Sequence, residues 1–374
     1  MAANFDFFSI RFNDEPNIYK IELTFYRHYL RQHKMAVLQN IAIDEFLNLR
    51  KSLPVLDVRS EGEYKQGHIC NALNFPILND EERKLVGICY KQKGHEKAVI
   101  LGYQLTGPKF FEMIKQAYKQ FPEKKILIHC FRGGLRSRIM SYVLHSAGFD
   151  VKVLVGGYKV YRKHVLSVLE SDLKMKVIGG YTGTGKSEIL IQLKEKGKQI
   201  IDIESLANHR GSAFGGINMP AQPTQEQFEN DLAEEISILD LDKDVWIEDE
   251  SRSTGKIKMP DKFYNQLRNA NLYFIEKSFD KRAANILNTY GKFDKNLLIA
   301  STEKLEKRLG NLLMRQAVTH LENNEMKEWL DIVLHYYDKA YQFGLEQRDK
   351  KKVIHVSEKE FIFQYENERL KTVT

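Results

Sequence analysis

Cysteine is scarce in this chain: Cys70, Cys89 and Cys130 are its three thiols in 374 residues. None of them forms a Cys-x-x-Cys pair, so a disulfide framework, a zinc ribbon and a thioredoxin-type motif all lack support. A reduced, cytoplasmic setting is expected instead. Long hydrophobic runs are missing as well. No stretch approaches the ~18 apolar residues that a bilayer crossing needs, so no membrane association is expected. Asp6, Arg11, Asp14 and Glu15 interrupt the apolar positions near the N-terminus, which argues against a signal-peptide pattern there. Internal repeats and low-complexity segments are absent. Nor does one sign of charge dominate: 57 Lys and Arg against 50 Asp and Glu leave a net +7. That mild excess permits a polyanionic partner without demanding one.

What is present suffices for real cores, with 43% hydrophobic and 11% aromatic residues. The length fits two domains. Residues 1–34 are aromatic and charged without a clean period; they read as an N-terminal extension, and no function is assigned to them. From Met35 onward the pattern becomes orderly. "IDEFLNL" is a short amphipathic helix, and "PVLDVRS" (54–60) and "KKILIHC" (124–130) are buried strands. "RIMSYVLHSAG" is a helix stopped by Gly148, and "VKVLVGGY" is a further strand. Apolar strands separated by helices imply a parallel α/β sheet over residues 35–161. "RKHVLSVLESDL" (162–173) reads as a linking helix within 162–174. A second α/β unit, residues 175–374, opens with "MKVIGG", continues through the strands "DVWIEDES" and "NLYFIE", and turns helical after Lys277. The cluster "RDKKK" (348–352) reads as a solvated helix end.

Two glycine-bearing loops carry the chemistry. In "HCFRGGLRS" a cysteine ends a buried strand and a short loop leads into a helix, the position where open α/β sheets bind ligands. The loop amides and helix N-terminus converge on an anion, and Arg136 adds a two-pronged cation, with Arg132 nearby. The same field favours the thiolate of Cys130 as a nucleophile. Phe131, Gly133, Gly134, Leu135 and Ser137 complete the cradle. A buried structural cysteine is the plain alternative; for Cys70 and Cys89, which lack such a setting, it is the preferred one.

The second loop is "MKVIGGYTGTGKSEIL", an apolar strand, Gly180-x4-Gly185-Lys186-Ser187, then a helix, the Walker A pattern in its required context. Backbone amides from Gly180, Tyr181, Thr182, Gly183, Thr184 and Gly185 would hold a diphosphate, Lys186 would neutralise it, and Ser187 would suit Mg²⁺. The acidic strand end "VWIEDESR" offers Asp249 or Glu250 as the second metal-binding group, with Ser187 and Asp249 joined through Mg²⁺. The plain alternative is an acidic strand end paired with Arg252 or nearby lysines. No permanent cofactor is expected.

The spelling Cys-x5-Arg is shared by cysteine phosphatases and rhodanese-type sulfurtransferases. Upstream, "LDVRSEGEYKQGHICNALNFP" (56–76) resembles the rhodanese pattern. That likeness implies that Asp57 and Arg59 hold the domain together and that His68 and Ile69 shape the fold. It also implies that Cys130 accepts a sulfur or selenium atom as a persulfide-like adduct. The fusion, together with "NDEERKLVGICYKQKGHEKAVILG", "LVGGYKVYR", "DIESLANHRGSAFG", "WIEDESR" and "YYDKAYQFGLE", resembles the bacterial tRNA 2-selenouridine synthases from about Ile41 to the C-terminus. The resemblance implies a rhodanese-like domain followed by a P-loop NTPase-like α/β domain with a helical C-terminal part. It further implies a transferase acting on 2-thiouridine at the tRNA wobble position, with selenophosphate as donor, through an S-geranylated nucleoside made from geranyl diphosphate. The selenophosphate-producing enzyme is a further partner on this reading. Cys130 would handle selenium and the P-loop the diphosphate. His209, Arg210 and Ser212 would contact tRNA or the prenyl donor, or else form a structural turn. Two rivals stand beside this reading: a cysteine-dependent phosphatase with an appended P-loop NTPase, and a non-catalytic regulatory module.

Overall fold

A computed structural model describes residues 39–361, so the reading of residues 1–34 lies outside the described residues. The described chain divides into two compact units.

The first unit holds five short parallel strands: β1 (Gln39–Ile41), β2 (Val55–Asp57), β3 (Leu73–Asn74), β4 (Lys125–His129) and β5 (Asp150–Leu154), in the order β1-β5-β4-β2-β3. Central β4 is buried from Ile126 through His129, as the uninterrupted apolar run of a parallel sheet covered on both faces requires. Its core gathers Leu56, Val58, Ile126, Ile128, Met140 and Phe149. The helix Leu135–Ser146 ends as expected: Gly148 has φ +85° and its N–H donates to the His145 carbonyl at 2.9 Å.

At the carboxyl edge of this sheet Asp57 lies opposite His129 in register. The buried Arg59 guanidinium grips Asp57 at 2.6 Å, and His129 Nε2 lies 3.7 Å from the same carboxylate. Burial alone would raise the Asp57 carboxyl, yet His129 and Arg59 together hold it below the usual range. Asn74 donates to the carbonyls of Asp57 and Arg59, tying in β3.

Among the described residues the second unit comprises 60–72 and 158–361. Its sheet is again fully parallel, β12-β11-β6-β8-β7, from β6 (Lys174–Gly179), β7 (Gln199–Ile201), β8 (Asp244–Glu248), β11 (Asn271–Glu276) and β12 (Val353–Ser357). A small antiparallel pair, β9 (Ser253–Thr254) and β10 (Ile257–Lys258), stands apart. Helices from Phe279–Tyr290 to Met326–Glu346 build a separate cluster around Trp329, Leu330, Leu334 and Leu321.

Several expectations are corrected. The helix placed at 162–173 starts earlier, at Gly157, and stops at Leu169. The segment 60–72, part of the rhodanese-like motif, groups with the second unit. There Gln227 accepts the His68 N–H at 2.8 Å, Asn230 donates to the His68 carbonyl at 3.0 Å, and Ile69 is fully buried. The region after Lys277 is helical as expected from Phe279 to Glu346 and then adds one strand, β12, which pairs along β11 from Val353 to Ser357. Arg348 is no solvated helix end: it is 6% exposed and donates to the carbonyls of Leu267 and Arg268. Its length lets it reach inward while Lys350 and Lys351 stay on the surface turn.

Candidate functional site

In the first unit the loop after β4 wraps the sulfur of Cys130. The Gly134 N–H donates to Sγ at 3.3 Å, and Ser137 Oγ lies 3.2 Å from it while also donating to the Gly134 carbonyl at 3.0 Å. The thiol residue is 3% exposed and sits at the floor of the loop. Phe131, Arg132 and Leu135 are exposed around it, Arg136 is half-buried, and the Arg132 guanidinium lies over the Phe131 ring at 5.8 Å. Two glycines make the turn feasible. Gly133 has φ +64°, where a Cβ would come within 2.8 Å of the Gly156 nitrogen. Gly157 has φ +58°, and a Cβ there would meet the Cys130 carbonyl at 2.2 Å. The strand end at β5 thus presses directly on the cysteine loop, a contact that the sequence spelling did not reveal. Cys70 and Cys89 are half-buried and lie outside this loop.

In the second unit the loop after β6 adopts left-handed glycines at Gly183 and Gly185 and leads into the helix Lys186–Glu195. Lys186 Nζ donates to the Gly180 carbonyl at 3.0 Å, closing the loop on itself. Remote side chains grip the loop from outside. Tyr341 Oη accepts the Gly180 N–H at 3.0 Å, Arg282 donates to the Thr182 carbonyl at 3.0 Å, Lys277 to that of Thr184 at 2.8 Å and Asn285 to that of Gly183 at 3.0 Å. Asp338 in turn holds Arg282 at 2.6 Å.

The acidic strand end sorts by the strand's alternation. Glu248, buried at 4% exposure, and Glu250 stand on one side with Glu204, and a carboxylate oxygen of each lies within 4.8 Å of the others. Burial raises Glu204 to about 8, with Glu248 adding to the effect. Burial likewise raises Glu248, against the pull of Lys186 and a hydrogen bond from Ser187. Glu250 is pushed well above the usual range by loss of water and then by Glu204 and Glu248. Asp249 faces the other way, and this corrects its expected metal-binding role. Its carboxylate accepts from Tyr341 at 2.9 Å and pairs with Arg348, with Arg268 at 3.6 Å. Its backbone N–H donates to Ile178, extending the ladder between β8 and β6. Arg252 pairs with Asp261 instead of any of these acids. Glu250 therefore stays in the cluster, Asp249 leaves it, and Glu204 and Glu248 join. The signal for Glu248 was the period of two along "WIEDE"; nothing local flagged Glu204, which another part of the chain supplies.

The segment from His209 to Gly215 packs against this cluster. A Cβ on Gly211 would come within 2.8 Å of Glu250 Oε2 and 3.4 Å of Glu204 Oε1. Backbone bonds from Arg210 to Gly215 and from Ser212 to Arg210 make it a tight turn. Buried within it, His209 Nδ1 and one Arg210 guanidinium nitrogen have no hydrogen-bond partner among the described residues, and burial lowers the His209 pKa. Ser212 Oγ accepts from the Phe214 amide at 3.2 Å.

The cluster suits a divalent cation. Three carboxylates, a buried Glu248 Oε1 without a hydrogen-bond partner and the adjacent Ser187 form an all-oxygen donor set of the kind Mg²⁺ takes. No helix among the described residues is long and apolar enough to cross a membrane.

The family description "tRNA 2-selenouridine synthase AAA domain" matches residues 173–373, and "Rhodanese-like domain" matches residues 42–164. The tRNA 2-selenouridine synthase of Nitrosomonas europaea is 40% identical over 67% of this chain and 67% of its own length. That of Bdellovibrio bacteriovorus is 35% identical, covering 83% of this chain and 94% of its own, and that of Marinobacter nauticus 34%, covering 82% and 92%.

Proposed function

The chain belongs to the tRNA 2-selenouridine synthase family, and on that premise we propose that it is a tRNA-modifying transferase that replaces the sulfur of wobble 2-thiouridine with selenium. The reading rests above all on the sulfur of Cys130, met by the Gly134 amide and the Ser137 hydroxyl in a loop rimmed by Arg132 and Arg136. Such donors, with the arginines of the loop, stabilise negative charge brought up to that sulfur. Cys130 serves the selenium step, in the loop where selenophosphate would be held with its selenium still bonded to phosphorus.

The P-loop serves the other anionic substrate, geranyl diphosphate. The nucleoside sulfur attacks the first carbon of the prenyl chain, its C–O bond breaks and diphosphate leaves. Lys186 and the loop amides hold that leaving group. In the second step the selenium of selenophosphate forms a bond to C2 of the base, the C–S bond breaks and geranylthiolate departs; water then attacks phosphorus, the P–Se bond breaks and phosphate leaves. Glu204, Glu248, Glu250 and Ser187 would hold Mg²⁺, which neutralises diphosphate charge when bound. Arg210, beside Glu204, is available to the same substrate or to tRNA. The phosphatase alternative needs a free aspartic acid as general acid, and Asp57, on the strand next to β4, is committed to Arg59. The reading implies a cytoplasmic enzyme.

Mass spectrometry of nucleosides from 2-thiouridine tRNA, with each donor omitted in turn, tests this. Geranyl diphosphate alone should add one geranyl group, and both donors together should give the selenium isotope pattern. Unmodified nucleosides with phosphate released from an aryl phosphate would sink it.

A further inference from the structure

We infer that the two-helix hairpin of Asp80–Lys93 and His95–Thr106 is an RNA-docking arm, taking phosphates on its lysines and unpaired bases on its uncovered apolar face. The inference rests on the proposed tRNA substrate and assigns it a surface.

The hairpin turns at Gly94, φ +86°. It is moored by Val86 and Leu105, which pack on the core of the first unit, and by the buried Thr106. Elsewhere it buries little. No residue of Asp80–Lys93 is buried, and every residue from Tyr90 to Lys97 is exposed. Large apolar side chains nevertheless face water: Leu85 at 52%, Ile88 at 43%, Tyr90 at 57%, Ile100 at 61% and Tyr103 at 49%. Leu85 and Ile88 share a helix face by their spacing, as do Ile100 and Tyr103. Ile88 and Ile100 lie equally far from the turn, and so do Leu85 and Tyr103, so the two antiparallel helices bring these pairs level. Large apolar side chains exposed together on one hairpin mark an interaction surface.

Charge selects the partner. Asp80, Glu81 and Glu82 sit in the first turn at the base of the hairpin beside Arg83, whereas from Lys84 to its end the hairpin carries Lys84, Lys91, Lys93 and Lys97 against Glu96 alone. Among the described residues none of these four lysines is given over to an ion pair, whereas Lys109 at the base is held by Glu82. A second copy of the chain would set these lysines against themselves about a two-fold axis, which disfavours self-association. A polyanion with exposed bases fits: lysines replace its counterions and tyrosines stack on its bases. Gly87 supplies a further sign. It lies inside a helix, where glycine is weaker than alanine, yet a Cβ there would meet nothing within 4 Å. It falls at helical spacing between Lys84 and Lys91, leaving the surface bare where a sugar–phosphate chain would approach.

Fluorescence anisotropy of the full chain with a labelled anticodon stem–loop RNA tests the arm in three variants. Lys91→Gln with Lys97→Gln should raise Kd roughly tenfold and lower the slope of log K against log salt by about 1.5. Tyr90→Ala with Tyr103→Ala should weaken binding about tenfold with the slope unchanged. Gly87→Leu should keep or raise Tm while RNA affinity falls, which separates docking from folding. Unchanged Kd and slope in all three, with selenouridine still formed by the wild type, would overturn the arm alone. Wild-type protein that binds no RNA would overturn both the arm and the proposed function. Variants that turn a dimer into a monomer while keeping RNA affinity would reassign the face to self-association and overturn the arm.

Discussion

The cysteine loop and the P-loop occupy the same place in their sheets, at the carboxyl end of a buried parallel strand and the start of a helix, but they are held by opposite means. Around Cys130 the shape comes from backbone against backbone, with Gly157 pressed on the Cys130 carbonyl and Gly133 on Gly156. Around Gly180 it comes from distant side chains: Tyr341, Arg282, Lys277 and Asn285 each bind one group of the loop. A loop clamped by its own backbone keeps its shape when remote surfaces change. A loop held by side chains from Phe279–Tyr290 and Met326–Glu346 is coupled to those helices, and whatever shifts them also shifts the loop.

The strongest way to break this comparison is to remove one centre and follow the other. Cys130→Ser should reduce selenium incorporation by on the order of 10³-fold or more, while S-geranylated nucleoside still accumulates. Nucleoside mass spectrometry reads both products in one digest, and loss of both would mean that the loops do not serve separate steps. In the reverse direction, Lys186→Ala should lower kcat/KM for geranyl diphosphate by about 10²-fold. Selenium insertion into tRNA that is already geranylated should be unchanged; a matching fall there would merge the two sites.

Much of this was legible because the decisive residues are contiguous. Cys130 to Ser137 and Gly180 to Ser187 each spell out a strand end, a turn and a helix start, and the structure puts them in those elements. What was illegible lies far away in the chain. The grip of Tyr341 on Gly180 spans 161 residues, and Arg348 reaches Asp249 across 99. Asp249 looked like the metal group because the motif names three adjacent acids, but a strand turns successive side chains to opposite faces. Only the positions of Arg268, Arg348 and Tyr341 reveal that Asp249 belongs to an ion-pair network. The edge strand β12 was hidden because five residues after a run of lysines carry little periodic signal.

Tyr341→Phe sharpens the comparison on the side-chain-held loop. The hydroxyl links the Gly180 N–H to the Asp249 carboxylate, and deleting it leaves a buried amide and a buried charge short of a partner. A loss of about 1–3 kcal/mol follows from such an unsatisfied group. Calorimetric titration with inorganic diphosphate should show affinity reduced about tenfold. The rate at which iodoacetamide alkylates Cys130 should not move, and a parallel loss of thiol reactivity would contradict separate construction.

The smallest expected effect is a difference in sign between the two units as pH changes. Asp57 is held below its usual range by His129 and Arg59 against the cost of burial, so its stabilisation is present above the ordinary carboxylate pKa and disappears as pH falls through the lowered value. Glu204 is raised to about 8 by burial and Glu248, and Glu248 and Glu250 are raised with it. The contribution of Glu204 is complete below the ordinary carboxylate pKa and is lost as pH climbs through about 8, and the raised Glu248 and Glu250 act in the same direction. In EDTA, therefore, melting of the P-loop unit should shift down by a few degrees between mildly acidic and mildly alkaline buffer, at about 2–4 °C per kcal/mol. Mg²⁺ should remove most of that slope, because a cation among the three carboxylates stabilises their ionised forms. Glu204→Gln should flatten the slope without metal and weaken the response to it. A slope equally steep with Mg²⁺, in scanning calorimetry of the full chain, would leave the carboxylates as a buried acidic pocket with no cation to hold.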